Sequence, residues 1–429
     1  MIEPTREGLV RQIRRWDLSA IVINSIIGAG IFGLPATVFA LVGVFSLVAF
    51  LLCALLVTLI ILCFAEVSSR YEDTGGPYLY AREAFGPVIG FEVGWLMWIS
   101  RLTAFAANCN LLIAYLGFFV PGVSGGAWRA ITITVIVAAM TAINIIGVRD
   151  ASRVTNVLTV AKLIPLLLFV AVGVFSIDAG SYAEPQLPSI GDLSVSVLLL
   201  VYAFTGFEMA AVPSGEARNP RRDLPWALLT SIAAVTAFYF LIQLVAVGTL
   251  TDLGESERPL TDAGRVFLGP FGAAIISAGA VVSILGNLNV TLMVVPRLPF
   301  AMAERHELPR PIAHVHRLFH TPDVAIYVCG LVVLMLTLSG TFVYAATISV
   351  IARLLGYAAT CAALPVLRRR ESAPPAAFVA PFGVVVASVS LLLVGWLLFN
   401  TTGAQLRDAG VAAAVGLVIY FSARWKSQQ

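Results

Sequence analysis

Apolar residues in this chain fall in long continuous blocks, not in the alternation of strands or the one-sided stripe of soluble helices. Twelve blocks can be drawn, at about 18–40, 43–66, 86–119, 129–148, 154–177, 194–213, 226–250, 269–301, 324–339, 341–367, 376–400 and 405–423. Most meet the roughly 20 residues that one helix needs to cross a bilayer. The pattern predicts an all-α integral membrane protein of about 12 transmembrane helices. No soluble domain interrupts the series, so residues 1–429 are expected to form a single transmembrane domain.

Composition agrees: of 429 residues, 59% are hydrophobic and only 12% charged. A net charge of +3, with no basic tract carrying interleaved aromatics, gives no footprint for nucleic acid. Cys53, Cys63, Cys109, Cys329 and Cys361 all lie in apolar blocks without paired spacing, which implies neither a disulfide framework nor a metal knuckle. The basic N-terminus followed by an apolar block has the outline of a signal peptide. That block is too long for an h-region and no small-residue cleavage site follows it, so it reads as a spanning helix. With the N-terminus placed inside, 20 of the 27 basic residues fall in inside segments and four in outside loops. The remaining three, Arg101, Lys162 and Arg353, lie within blocks. The bias assigns both termini to the cytoplasm of a cell membrane.

Block one is broken by its own composition. Ile26-Ile27-Gly28-Ala29-Gly30-Ile31-Phe32-Gly33-Leu34-Pro35 puts three glycines and a proline at its centre. Each interior glycine costs a helix about 1 kcal/mol relative to alanine. Freed backbone at that depth is tolerated only when buried in protein or lining a wet cavity. The stretch therefore reads as a break that offers N–H and C=O groups to a ligand, or as a seat for a closely packed neighbour. Block six has a second such stretch, Tyr202-Ala203-Phe204-Thr205-Gly206-Phe207-Glu208. Blocks one and six open two successive groups of five and enter the membrane from opposite sides. Interrupted helices in corresponding positions of inverted halves point to a transporter binding site.

Gly28-Ala29-Gly30-Ile31-Phe32 resembles the GxGIF signature of the amino acid–polyamine–organocation permeases. Gly75-Gly76-Pro77-Tyr78-Leu79-Tyr80 with Ala84-Phe85-Gly86 resembles the loop after their second helix. Phe204 to Glu208, followed by Gly215-Glu216-Ala217-Arg218-Asn219-Pro220-Arg221-Arg222, resembles their sixth helix and its tail. Asn289, Pro296-Arg297, Ala301-Met302-Ala303-Glu304 and Leu308-Pro309 match the eighth. The resemblance spans blocks one to ten. It implies the five-plus-five inverted-repeat, leucine-transporter-like fold, with helices 1 and 6 broken at mid-membrane. The first repeat would be residues 1–178, the second 192–368, and 376–425 two added helices. It also implies a secondary active transporter of amino acids or related amines working by alternating access, sodium-independent, and either proton-coupled or an exchanger.

The candidate substrate contacts flank the two breaks: Ser25, Ile27, Gly28, Ala29, Gly30 and Ile31, with Tyr202, Ala203, Phe204, Thr205, Gly206 and Glu208. The half-helix starting near Gly30 points its positive end at the gap and suits a carboxylate; those ending near Ile27 and Ala203 suit an α-ammonium group. Ala29 stands where a GSG variant of the motif has serine, so one hydroxyl contact is missing. Tyr202 and Phe204 read either as lids or as packing aromatics. Glu208 reads either as a substrate or proton group, which favours a basic amino acid/polyamine antiporter, or as a structural partner of Arg353 or Arg101. Lys162 lies about 13 Å into block five at 1.5 Å per residue, too deep to stay charged without partners. The carbonyls released at the end of the first half-helix are suitable acceptors. In sodium-driven relatives a cation takes an equivalent place, so the resemblance makes Lys162 a coupling residue beside Glu208. Glu92 reads as solvated or capping. His306, His314, His316 and His320 share one loop but lack metal-site spacing. No cofactor and no metal are expected, no feature specifies an oligomeric state, and a metal-dependent intramembrane enzyme or a channel are the remote alternatives.

The charge bias makes a topological prediction. Arg221→Cys and Arg369→Cys variants should be shielded from an impermeant thiol reagent in intact cells, while Ser181→Cys should react. Equal labelling at all three would contradict the assignment.

Overall fold

The computed structural model describes the backbone of residues 15–71, 76–146, 151–183, 186–208 and 219–427. Gly75, Arg149, the basic residues Arg6 to Arg14, the tail Gly215 to Arg218 and the part of block six after Glu208 lie outside these residues.

The structure is built of helices, with no strand among the described residues. Block one is two helices, α1 (Arg15–Ile26) and α2 (Gly30–Val42), separated by three non-helical residues. Then come α3 (Ser46–Ser68), a short α4 (Gly76–Phe85), the long α5 (Pro87–Phe119), α6 (Gly126–Ile146) and α7 (Ala151–Gly173). Block six begins as α8 (Ile190–Phe204) and stops there, Thr205 being extended. The chain continues as α9 (Pro220–Thr249), α10 (Pro259–Val294) and a short α11 (Arg297–Glu304). It closes with α12 (Asp323–Ser339), α13 (Phe342–Arg369), α14 (Gly383–Phe399) and α15 (Gly403–Ser427). Among the described residues seven helical stretches are long and apolar enough to cross a membrane, and four further apolar helices have 10–17 residues. The twelve blocks are thus not twelve uniform helices, because glycine and proline divide several of them. One such place is Gly269 (φ 68°) before Pro270, which kinks α10.

Packing follows a regular scheme. α5 lies on α13 as α7 lies on α10; α1 lies on α9 as α3 lies on α8; α5 touches α12 as α6 touches α10. α2 meets α8, α3 meets α9, α5 meets α10 and α6 meets α12. Small residues set the approach. A Cβ on Gly279 of α10 would fall 2.3 Å from the Pro165 ring of α7, and one on Gly330 of α12 would fall 2.6 Å from Thr141 of α6. Such contacts are how helices associate where lipid removes most of the hydrophobic drive.

One buried ion cluster ties α3 to α13 and to the segment before α14. Glu66, fully buried, accepts from Arg368 at 2.7 and 2.6 Å, from the Ala380 N–H at 2.9 Å and from Arg70 at 3.3 Å. Removing one partner of such a buried set strands the others. Glu66→Ala should therefore destabilise the fold by about 3–5 kcal/mol, read as a lower melting temperature in detergent. An unchanged melt would show the cluster to be dispensable.

Candidate functional site

The two breaks meet. Gly30 opens α2 against the end of α8, and a Cβ there would lie 2.8 Å from the Ala203 Cα. Gly206 has φ 119° and faces the end of α1, where a Cβ would lie 2.2 Å from the Ser25 carbonyl oxygen. Both contacts are too close for any side chain, and the positive φ independently favours glycine. Both readings of the glycines therefore hold: they break the helices and they seat one against the other.

Freed carbonyls at the breaks find donors within the protein. Lys162 Nζ donates to Asn24 O at 2.7 Å and to Ile27 O at 2.6 Å, and its side chain is buried. The Tyr239 hydroxyl, on α9, lies 3.1 Å from Ile26 O and 3.2 Å from Ala203 O, bridging the C-terminal ends of α1 and α8. Thr205 Oγ1 donates back to Tyr202 O at 2.8 Å. By contrast α2, with Ala29 as its N-cap, has no side-chain cap hydrogen bond among the described residues.

Glu208 sits at the centre of a buried network. Its Oε1 accepts from Arg101 at 2.7 Å and Arg353 at 3.0 Å, and its Oε2 from the Tyr357 hydroxyl at 2.8 Å and the Gly206 N–H at 3.0 Å. Both arginines that the sequence offered as alternatives are partners at once. Tyr202 donates its hydroxyl to Asn108 Oδ1 at 2.5 Å, and Asn108 in turn donates to Asn287 at 2.8 Å. Asn287 stands beside Gly28. Phe204 is fully buried against Tyr239 and Phe50, a packing aromatic. Ile27, Ala29 and Ile31 are buried as well.

A cavity of about 390 Å³ descends along α5 from Gly94 through Met97 and Trp98 to Arg101, with Glu208 beside it. Tyr78 of α4 and Arg305 after α11 line it too. Of the candidate substrate contacts named from the sequence, Glu208 lines this cavity and the residues of the α1–α2 break do not. Near Tyr78, Glu307 accepts from Arg82 at 3.2 Å and from the Tyr78 hydroxyl at 3.3 Å. Burial pushes the Glu307 carboxyl above its usual range, against the pull of Arg82 and Tyr78.

Glu92 corrects the sequence reading. Both of its carboxylate oxygens are buried and have no hydrogen-bond partner among the described residues. It lies more than a turn inside α5, too deep to cap that helix's first N–H groups. In the histidine loop, His314 pairs with Asp323 at 2.7 Å and His316 stacks on Phe319. No cluster of three or more His, Cys, Asp or Glu with metal-binding geometry occurs among the described residues. The sequence reading missed Tyr239, Tyr357, Asn108 and Asn287, which are neutral and leave no mark in an apolar block.

A sequence profile described as amino acid permease matches residues 13–421. The chain belongs to the amino acid permease family and is a multi-pass membrane transporter, not an enzyme. It is 29% identical to a serine/threonine exchanger of Bacillus subtilis (strain 168) over 422 residues, covering 96% of this chain and 95% of that one. It is 28% identical to a methylthioribose transporter of the same organism over 435 residues, 97% and 94% of the two chains. An arginine/agmatine antiporter of Chlamydia pneumoniae is 27% identical over 438 residues, 96% and 90%.

The network makes Glu208 a structural keystone as well as a cavity residue. Glu208→Gln leaves the enclosed Arg353 and the cavity-lining Arg101 without a counter-charge and should cost about 3–5 kcal/mol. Thermal unfolding of the purified variant checks this, and a melt equal to wild type would contradict it.

Proposed function

We propose that this chain is a secondary active transporter of amino acids that works by alternating access around the α1–α2 and α8 breaks, without sodium. The observation that carries the reading is the Lys162 ammonium, 2.7 and 2.6 Å from the Asn24 and Ile27 carbonyls, at the point where a helix end would otherwise attract a free cation. A protein-borne charge there removes the need for a metal ion. It also gives a group able to trade its proton when the breaks move, because lysines shift readily with burial. Proton-coupled symport and exchange are both open to such a device.

The division into repeats 1–178 and 192–368, with 376–425 appended, is part of this reading. It is supported by the packing scheme, in which the pairs α5–α13, α1–α9 and α5–α12 recur, displaced by five spans, as α10–α7, α8–α3 and α10–α6. Substrate would be held by Ser25, Ile27, Gly28, Ala29, Gly30 and Ile31 on one side and by Tyr202 to Gly206 on the other. The uncapped start of α2 would take the α-carboxylate. Both termini are assigned to the cytoplasm on the charge bias.

Counterflow in proteoliposomes tests the reading. Exchange should proceed equally in sodium and choline buffers, and Lys162→Ala should lose net uptake while the protein still inserts. A sodium requirement in wild type, or full activity of Lys162→Ala, would overturn it.

A further inference from the structure

We infer that the cavity beside Glu208 selects substrates bearing an additional negative group, with Arg101 as the residue that receives it. The inference rests on the transport reading above and specifies its substrate class as amino acids with an acidic side chain.

The charge ledger carries the argument. Glu208 is one carboxylate facing two guanidinium groups, and four donors already occupy its two oxygens. It has little acceptor capacity left for a cationic substrate. Of its two arginine partners, Arg353 is enclosed, with its side chain 2% exposed, while the Arg101 side chain is 20% exposed and lines the cavity. Arg353 alone balances Glu208, so the Arg101 charge is in excess. Buried charges are costly unless paired, and the missing partner has a cavity in which to arrive. Arg297 and Arg305 also line that cavity, and Glu208 is the one acidic residue lining it among the described residues. Arg297 has no ion pair or hydrogen bond among the described residues. The remaining walls are largely apolar, with Met97, Trp98 and Leu298 among them. Apolar walls strengthen the positive field and draw in anions. A planar guanidinium is matched to a carboxylate in geometry as well as charge. The acceptor ends of α1 and α8 are meanwhile occupied by Lys162 and Tyr239, so the region as a whole offers more donors than acceptors.

The full-length protein in proteoliposomes decides the matter. Each compound is loaded inside and its labelled form offered outside: glutamate, aspartate, serine, leucine, arginine and agmatine. Glutamate or aspartate should exchange best and compete with the others, and arginine and agmatine should not. Arg101→Gln should weaken the apparent affinity for the acidic substrate by about tenfold or more, the loss of one charge-assisted hydrogen bond. Neutral substrates should change less, and Arg101→Lys should retain part of the acidic preference. If Arg101→Gln does not fold, the wild-type competition profile and Arg101→Lys still decide. Exchange of neutral or cationic substrates without competition by glutamate overturns this inference and leaves the transport reading intact. No exchange of any amino acid or amine by a folded preparation overturns both.

Discussion

Two pieces of bare backbone in contact organise this protein. Gly30 lets α2 start against Ala203, and Gly206 lets the end of α8 turn against Ser25. No side chain fits between them. Once two interrupted helices are brought together inside an apolar bundle, their unpaired peptide groups must be satisfied locally, since lipid offers nothing. The surrounding polar residues answer that demand. Lys162 comes from α7, Tyr239 from α9, and the Gly206 N–H turns to Glu208. Glu208 in turn draws Arg101 from α5 and Arg353 and Tyr357 from α13. Four helices, α5, α7, α9 and α13, therefore read the state of the two breaks.

Such an arrangement suits movement. The contacts at the breaks are hydrogen bonds and ion pairs, which can be exchanged one for another, whereas the helices outside them are packed through small residues, which suits displacement as rigid units. A ligand that inserts between the breaks changes which donors and acceptors are satisfied, and that is the differential interaction that a two-state transporter needs. The family resemblance alone would not fix the ligand. The relatives named above include an exchanger of serine and threonine, a methylthioribose transporter and an antiporter of arginine and agmatine, so side-chain chemistry at the cavity has to set the preference.

Much of this was legible in the sequence because it rests on residues that violate a local rule. Glycines in a spanning block, a lysine about 13 Å from the membrane edge by its rise along the helix, and a glutamate at mid-block each cost free energy that must be offset somewhere. The acceptors of Lys162 were foreseeable because a broken helix releases carbonyls in a known direction. The network around Glu208 was only half legible. Arg101 and Arg353 are 107 and 145 residues away, and nothing along the chain says that one carboxylate takes both. Tyr239, Asn108 and Asn287 were invisible, since a neutral polar residue in an apolar block is cheap whether or not it has work to do. Glu92 was misread because position near a helix start in sequence does not reveal depth from water.

The most direct measurement is chemical rescue at the Lys162 site. In Lys162→Ala, propylammonium restores the atoms that were removed and can reach the Asn24 and Ile27 carbonyls as a free cation. If an ammonium on those carbonyls is what holds the first break in its working state, counterflow by the variant will recover as propylammonium is raised and will not respond to propanol. Counterflow by a folded Lys162→Ala that is indifferent to propylammonium and to sodium would contradict that role.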